Sequence, residues 1–386
     1  MYNVLTLNEI SSFGTDKFDG AKYNIVKEAQ NPEAVMVRSA SMHDMELGGN
    51  LLAVARAGAG VNNIPVEKCS ELGICVFNTP GANANAVKEL VIAGLLLSSR
   101  KVADALDWAK TLKGKGADVP GLVEKGKGQF GGPEIAGKTL GIIGLGAIGV
   151  LTANAALALG MEVIGFDPFL SVRAALGLNP RCKTTGDLKE IYSSSDYISV
   201  HAPYNQDTKG LICEESIQLM KDGVRILNFS RAELVDSDSI IAALESGKVS
   251  AYVVDFPTDE ILGVKNVIAI PHLGASTPES EDNCAVMAAV QLIDYIENGN
   301  VRNSVNLPDA EMNAAGTKVC IIHKNKPAVI SEITTAFGAA QVNIENLLNK
   351  SKKEIAYTMI DASAGVNDEI INKISGMENV IRVRVI

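Results

Sequence analysis

The sequence predicts an α/β protein built of two doubly wound parallel-sheet domains and a C-terminal ferredoxin-like βαββαβ module. Three observations predict it. The chain of 386 residues is longer than one hydrophobic core usually serves. Short apolar runs that end in Gly, Asn or Ser alternate with helix-compatible stretches through most of its length. The pattern also changes abruptly near Lys138 and again after a segment at 309–316 whose small-polar composition reads as a linker.

In order along the chain, the runs AVMV (34–37), LLAVA (51–55) and ICVF (74–77) read as buried strands of a first parallel sheet. From Val87 to Leu112 the pattern is long, helical and apolar on one side, and predicts a helix crossing into the second domain. The Gly/Lys-rich stretch 113–132 keeps no period and reads as surface loop. KTLGIIGLGAIG from Lys138 is a strand running into a glycine turn, followed by an Ala-rich helix. EVIGFD, YISV, RILNFS, AYVVDF and VIAI continue the strands. A helix over about 283–298 then leads into VRNSVNLPD, read as a return to the first domain. The expected boundaries are therefore 1–97 with 287–306, 98–286, and 317–386.

Composition narrows the function. With 47% hydrophobic and 21% charged residues the chain has material for packed cores. Its net charge of −10 argues against a nucleic-acid or anionic-membrane surface. No apolar run reaches spanning length, and the first residues show no export pattern. Six scattered cysteines without a C-x-x-C pair predict reduced, mostly buried thiols in a cytoplasmic protein, and no metal site.

Gly144-Leu145-Gly146-Ala147-Ile148-Gly149 has the spacing in which the first glycine turns tightly, the second admits a pyrophosphate and the third packs helix on strand. The anion would sit on the free N–H groups of the helix start, around Ala147 and Ile148. Asp167 stands eighteen residues past the last glycine, where an acid holds both ribose hydroxyls and repels a 2′-phosphate, so NAD is the expected cofactor. Hydride transfer at a hydroxyl-bearing carbon further needs a proton acceptor, a group that tunes it, and a cation for the substrate carboxylate. His272, Glu260 and Arg231 supply these at successive strand ends.

GKTLGIIGLGAIG, NFSRAELVD, VVDFPTDE and PHLGAST, in that order, resemble the D-isomer-specific 2-hydroxyacid dehydrogenase family, whose domains are of the Rossmann and flavodoxin-like kind. VRSASM, RAGAGVNNI and NTPGANANAVKEL resemble its phosphoglycerate dehydrogenases in particular. The resemblance implies Arg231 as the substrate-orienting arginine, Glu260 as the acid and His272 as the proton-shuttling histidine. VVDFPTDE lacks the family's proline after the glutamate and carries Asp259 beside it, so Asp259 rivals Glu260. The resemblance further places Asp255, His201, Ser230 and Gly274 on the cofactor side. It puts Arg38, Arg56, Gly58, Asn78 and Lys88 around the substrate, with Arg56 the preferred contact for its phosphate or carboxylate.

Residues 317–386 resemble the ACT module with which amino-acid-pathway enzymes sense product. His323, Asn325 and Asn343 match its ligand positions, and Ala328 replaces an expected glycine. An amino acid such as L-serine bound across a pair of modules is one expectation, and pairing without ligand is the other. The resemblance implies oxidation of 3-phosphoglycerate in a homodimer or homotetramer formed through the nucleotide domain. The competing readings are a dehydrogenase of another small D-2-hydroxy acid, such as glyoxylate or D-lactate, and an NAD-sensing protein of the corepressor type.

Overall fold

The computed structural model describes residues 1–363 and 366–386. The chain divides into two compact units, 1–83 with 278–386, and 84–277.

The first unit holds a parallel five-stranded sheet of β1 (Tyr2–Leu7), β2 (Tyr23–Val26), β3 (Ala34–Val37), β4 (Ala53–Arg56) and β5 (Cys75–Phe77). Their order, β2-β1-β3-β4-β5, is the flavodoxin-like one. β3 is buried along its whole length, as a parallel strand covered on both faces must be. The helix Pro278–Asn298 returns the chain to this sheet, and its Ala288, Ala289, Leu292, Tyr295 and Ile296 enter the core beside Phe77 and Met36.

The second unit holds seven parallel strands, β6 (Thr139–Ile143), β7 (Glu162–Phe166), β8 (Lys183–Thr185), β9 (Tyr197–Val200), β10 (Val224–Asn228), β11 (Val249–Val254) and β12 (Val267–Ala269). Their order is β12-β11-β10-β9-β6-β7-β8, so the winding reverses between β6 and β9. Ligands of open parallel sheets bind outside the strand ends at such a switch point.

The last strands are β13 (Thr317–Lys324), β14 (Ile344–Lys352), β15 (Ile355–Ala362) and β16 (Val380–Val385). They form an antiparallel sheet of order β14-β15-β13-β16. The helices Val329–Ala339 and Asp368–Ser375 cover one face through Ile333, Phe337, Ile370 and Ile374. This is the βαββαβ topology the pattern predicts.

Three readings are corrected. Helix Ala84–Arg100 groups with the nucleotide unit because Val87, Val91 and Leu95 sit in that unit's core, which moves the division back to 83/84. The supposed loop at 113–132 contains the helix Val119–Gly126, which starts at a proline in its first turn. Residues 309–316 are stitched down rather than free: Ala310 is buried and exchanges backbone hydrogen bonds with Val301, and the N–H groups of Ala315 and Gly316 donate to the Asp361 carboxylate.

The C-terminal sheet is joined to the first unit over its other face. Cys320, Ile322, Tyr357 and Met359 share a core with Phe77 and Tyr295. Arg384 stacks on the Tyr295 ring at 4.6 Å and donates to the carbonyls of Tyr295 and Ile296. The Tyr357 hydroxyl donates to the Gly299 carbonyl at 2.7 Å.

Candidate active site and cofactor site

In the nucleotide unit the three glycines of the loop have three different surroundings. Gly144 has φ +96°, and a Cβ there would lie 2.8 Å from the His201 carbonyl. A Cβ on Gly149 would lie 2.0 Å from the Gly144 oxygen, so helix Ala147–Ala158 packs too closely on its strand for any side chain. A Cβ on Gly146 would meet nothing within 4 Å. Gly146 and Ala147 are exposed at the helix start, with Ile148 half-buried behind them, which leaves free N–H groups facing open space for a pyrophosphate. Asp167 follows β7 and accepts from the N–H of Leu145 at 2.8 Å, which fixes its carboxylate against the glycine loop. These residues fit a dinucleotide: the helix start would hold its phosphates and Asp167 its ribose.

His201 ends β9, its N–H donating to the Ile143 carbonyl at 2.7 Å. Its Nε2 lies 2.9 Å from the Ser199 hydroxyl, and its Nδ1 is sealed from solvent without a partner among the described residues. Burial pushes this imidazole down to about 4, so it is neutral and unsuited to proton uptake near pH 7. Ser230 donates from its hydroxyl to the Val200 carbonyl, tying the ends of β9 and β10 together.

Arg231, exposed after β10, donates from Nη1 to the Ser230 carbonyl, and its own carbonyl accepts from the buried Asn228 amide at 2.8 Å. His272, exposed after β12, has φ +53°. A left-handed conformation is costly for a residue with a Cβ, so something must hold it. Asp255 does. It is 1% exposed, its carbonyl accepts the His272 N–H, and its carboxylate accepts the N–H of Leu273 at 2.7 Å and of Gly274 at 2.8 Å. A Cβ on Gly274 would meet that carboxylate at 2.8 Å. Burial raises the Asp255 carboxyl above its ordinary value, partly opposed by the two N–H donors and by His272.

Phe256 lies beside both functional groups. The Arg231 guanidinium carbon is 5.1 Å from its ring centroid, and the His272 ring is 4.4 Å away, tilted by 45°.

The expected partnership of His272 with Glu260 is not formed. Among the described residues no ion pair links His272 to Glu260 or to Asp259. Both acids sit on the single 3₁₀ turn Asp259–Ile261, which buries Ile261 and turns the carboxylates to solvent. The Thr258 hydroxyl beside Glu260 holds its carboxyl below the ordinary value. Lys88 lies 3.6 Å from Glu89 on helix Ala84–Arg100.

In the first unit, Arg56 donates from Nε to the Arg38 carbonyl at 2.9 Å and from Nη1 to the Gly60 carbonyl at 2.6 Å. A Cβ on Gly58 would meet the Arg56 Nη1 at 2.9 Å. Asn78 donates to the Ala59 carbonyl. Arg38 pairs with Glu281 at 2.6 Å, so an incoming anion must displace a carboxylate there. In the C-terminal module His323 is 2% exposed, between the Lys324 carbonyl and the Thr358 hydroxyl at 2.8 Å each. Asn325 donates to the Lys353 carbonyl and Asn343 to Glu345. His323 is level with Ala356, whereas Asn343 precedes the β14 end that is level with Ala362. These positions lie roughly 20 Å apart along the sheet, so one module alone does not gather them around a ligand.

Sequence reasoning missed Phe256 and Asn228. The signal for Asn228 was present, as an amide inside the apolar strand RILNF needs a built-in partner. Nothing in the spacing marked Phe256 as more than a core ring.

Residues 92–274 match the family model described as D-isomer specific 2-hydroxyacid dehydrogenase, NAD binding domain. The chain is 35% identical over 301 residues to the D-3-phosphoglycerate dehydrogenase of Archaeoglobus fulgidus, a match covering 75% of this chain and 54% of that one. It thus spans about half the length of that relative. It is 31% identical to the D-3-phosphoglycerate dehydrogenase of Haemophilus influenzae over 89% of this chain and 83% of that one. It is 39% identical to the hydroxypyruvate reductase of Thermotoga maritima over 67% and 83%. Among solved structures it resembles the NAD+-bound 3-phosphoglycerate dehydrogenase of Entamoeba histolytica, with a TM-score of 0.62 and 25% identity over 79% and 98% of the two chains. Glycine loop, strand order and these likenesses agree: the chain belongs to the D-isomer-specific 2-hydroxyacid dehydrogenase family, and its central unit is an NAD-binding domain.

Proposed function

We propose that this chain oxidises D-3-phosphoglycerate to 3-phosphohydroxypyruvate with NAD, the first step toward L-serine. The observation that carries the reading is Arg231 and His272 set against one ring at the C-terminal strand ends of an NAD-type sheet. In this reading His272 takes the hydroxyl proton while Arg231 holds the carboxylate through its planar fork. NAD, when bound, accepts the hydride from the same carbon. Arg56 and Arg38 are the cations proposed for the phosphate.

The likeness to phosphoglycerate dehydrogenases supports this substrate, because the Haemophilus match covers so much of the chain that it reaches into the C-terminal module. The likeness to a hydroxypyruvate reductase supports the rival, a small acid without phosphate. NADH formation by the purified chain across D-3-phosphoglycerate, D-glycerate, D-lactate and glycolate separates them. Preference for phosphoglycerate supports the proposal, equal use of unphosphorylated acids supports the rival, and no turnover with retained NAD binding supports a corepressor-type sensor.

We further propose an ACT-type role for the C-terminal module and a homo-oligomeric state in the cytoplasm. β14 is a long, largely exposed edge strand suited to pairing with a second copy. Helices Val102–Lys110 and Val119–Gly126 bury none of their residues, which leaves Leu106 for a partner to cover. Calorimetric titration with L-serine, read beside kinetics, tests the sensing role. Absence of heat together with unchanged rates removes it.

A further inference from the structure

We propose that Phe256 is a positioning residue, whose ring sets the gap between the guanidinium that holds the substrate carboxylate and the imidazole that takes its proton. The inference rests on the dehydrogenase reading above. It deepens that reading by giving a role to the ring itself, against which both side chains lie, at 5.1 Å and 4.4 Å.

The backbone around the ring is fixed. Asp255, just before it, donates its N–H to the Asn228 carbonyl and clamps the loop that carries His272. The half-buried Phe256 packs against the core formed by Ile226, Tyr252 and Val254. Its rotamer is therefore held from below while its upper surface meets Arg231 and His272.

The two heads have little else to hold them. Among the described residues, the Arg231 guanidinium donates from Nη1 only to the carbonyl of its own neighbour, Ser230. Among the described residues His272 forms no ion pair with Asp259 or Glu260. A Phe ring suits both, because its π face attracts a guanidinium and also the imidazolium that forms when the proton arrives.

The test uses the full chain with Phe256→Val, Phe256→Tyr and Phe256→Leu. The protein has four histidines, so the ring C–H resonances are few, and His272→Ala identifies the one that matters. In the wild type, the ring current of Phe256 displaces the His272 resonance. It returns toward the position of a free histidine in Phe256→Val and stays displaced in Phe256→Tyr. In steady state, Phe256→Val lowers kcat/KM about tenfold, mostly through kcat, with NAD affinity kept, whereas Phe256→Tyr stays within about threefold. If Phe256→Val does not fold, Phe256→Leu retains apolar bulk and removes the π face.

An unmoved His272 resonance, or wild-type kcat/KM in the folded Val or Leu variant, overturns the proposal. Wild-type protein that turns over no 2-hydroxy acid removes the dehydrogenase reading, and with it the role, even if the resonance shows the rings stacked.

Discussion

Removing the Asp255 carboxylate should cripple turnover without dismantling the fold. In Asp255→Ala the N–H groups of Leu273 and Gly274 lose their acceptor, and the φ of +53° at His272 is left to the backbone bonds of its own N–H to the carbonyls of residues 255 and 270. Hydrogen bonds to a charged group contribute about 1.5–3 kcal/mol each. The raised Asp255 carboxyl shows that burying the charge offsets part of this, leaving about 2–4 kcal/mol to hold the loop. If that energy keeps His272 in its working conformation, kcat falls on the order of 10²-fold. Asp255→Asn retains one acceptor oxygen and should lose roughly tenfold. The assay pairs kcat for the proposed substrate with amide hydrogen exchange of residues 272–274 in nucleotide-free protein. Exchange isolates the clamp from any direct contact between Asp255 and the nicotinamide. Unchanged protection in Asp255→Ala, or kcat within threefold of wild type, refutes the reasoning.

Other outcomes follow from the same geometry. His201, held down to about 4, binds fewer protons folded than unfolded between pH 4 and its ordinary 6.5, so stability falls as pH drops through that window. The loss from pH 7 to 5 is about 2 kcal/mol, and His201→Asn should flatten that part of a urea-denaturation profile. Asp167→Ser should weaken NAD binding and relax discrimination against NADP, while unchanged constants for both nucleotides would contradict the ribose assignment. Gly149→Val places a side chain where a Cβ alone meets the Gly144 oxygen at 2.0 Å, and calorimetry should show nucleotide binding abolished or the protein unfolded. Ala328 has φ +71° at the start of helix Val329–Ala339, so Ala328→Gly should raise stability by about 1 kcal/mol, seen as a higher Tm.

Much of the fold was legible because it rests on local, periodic signals. Strand runs such as AVMV and AYVVDF are apolar because parallel strands are covered on both faces, and glycine spacing follows from backbone geometry that no side chain can imitate. The placement of Arg231, Asp255 and His272 at strand ends followed from the same alternation. The pairing of His272 with Glu260 did not, because separation along the chain says nothing of direction. A single 3₁₀ turn that buries Ile261 decides where the carboxylate points.

What the sequence alone determined is therefore the order and kind of elements and the chemical types at their ends. What only the tertiary structure decided is which of those groups meet: the Asp255 carboxylate against the loop of His272, Phe256 against two cation-forming heads, and Arg384 against Tyr295 where the last module joins the first unit. Periodicity is a property of neighbours along the chain, whereas these contacts are set by how crossing layers bring distant residues within a few ångströms.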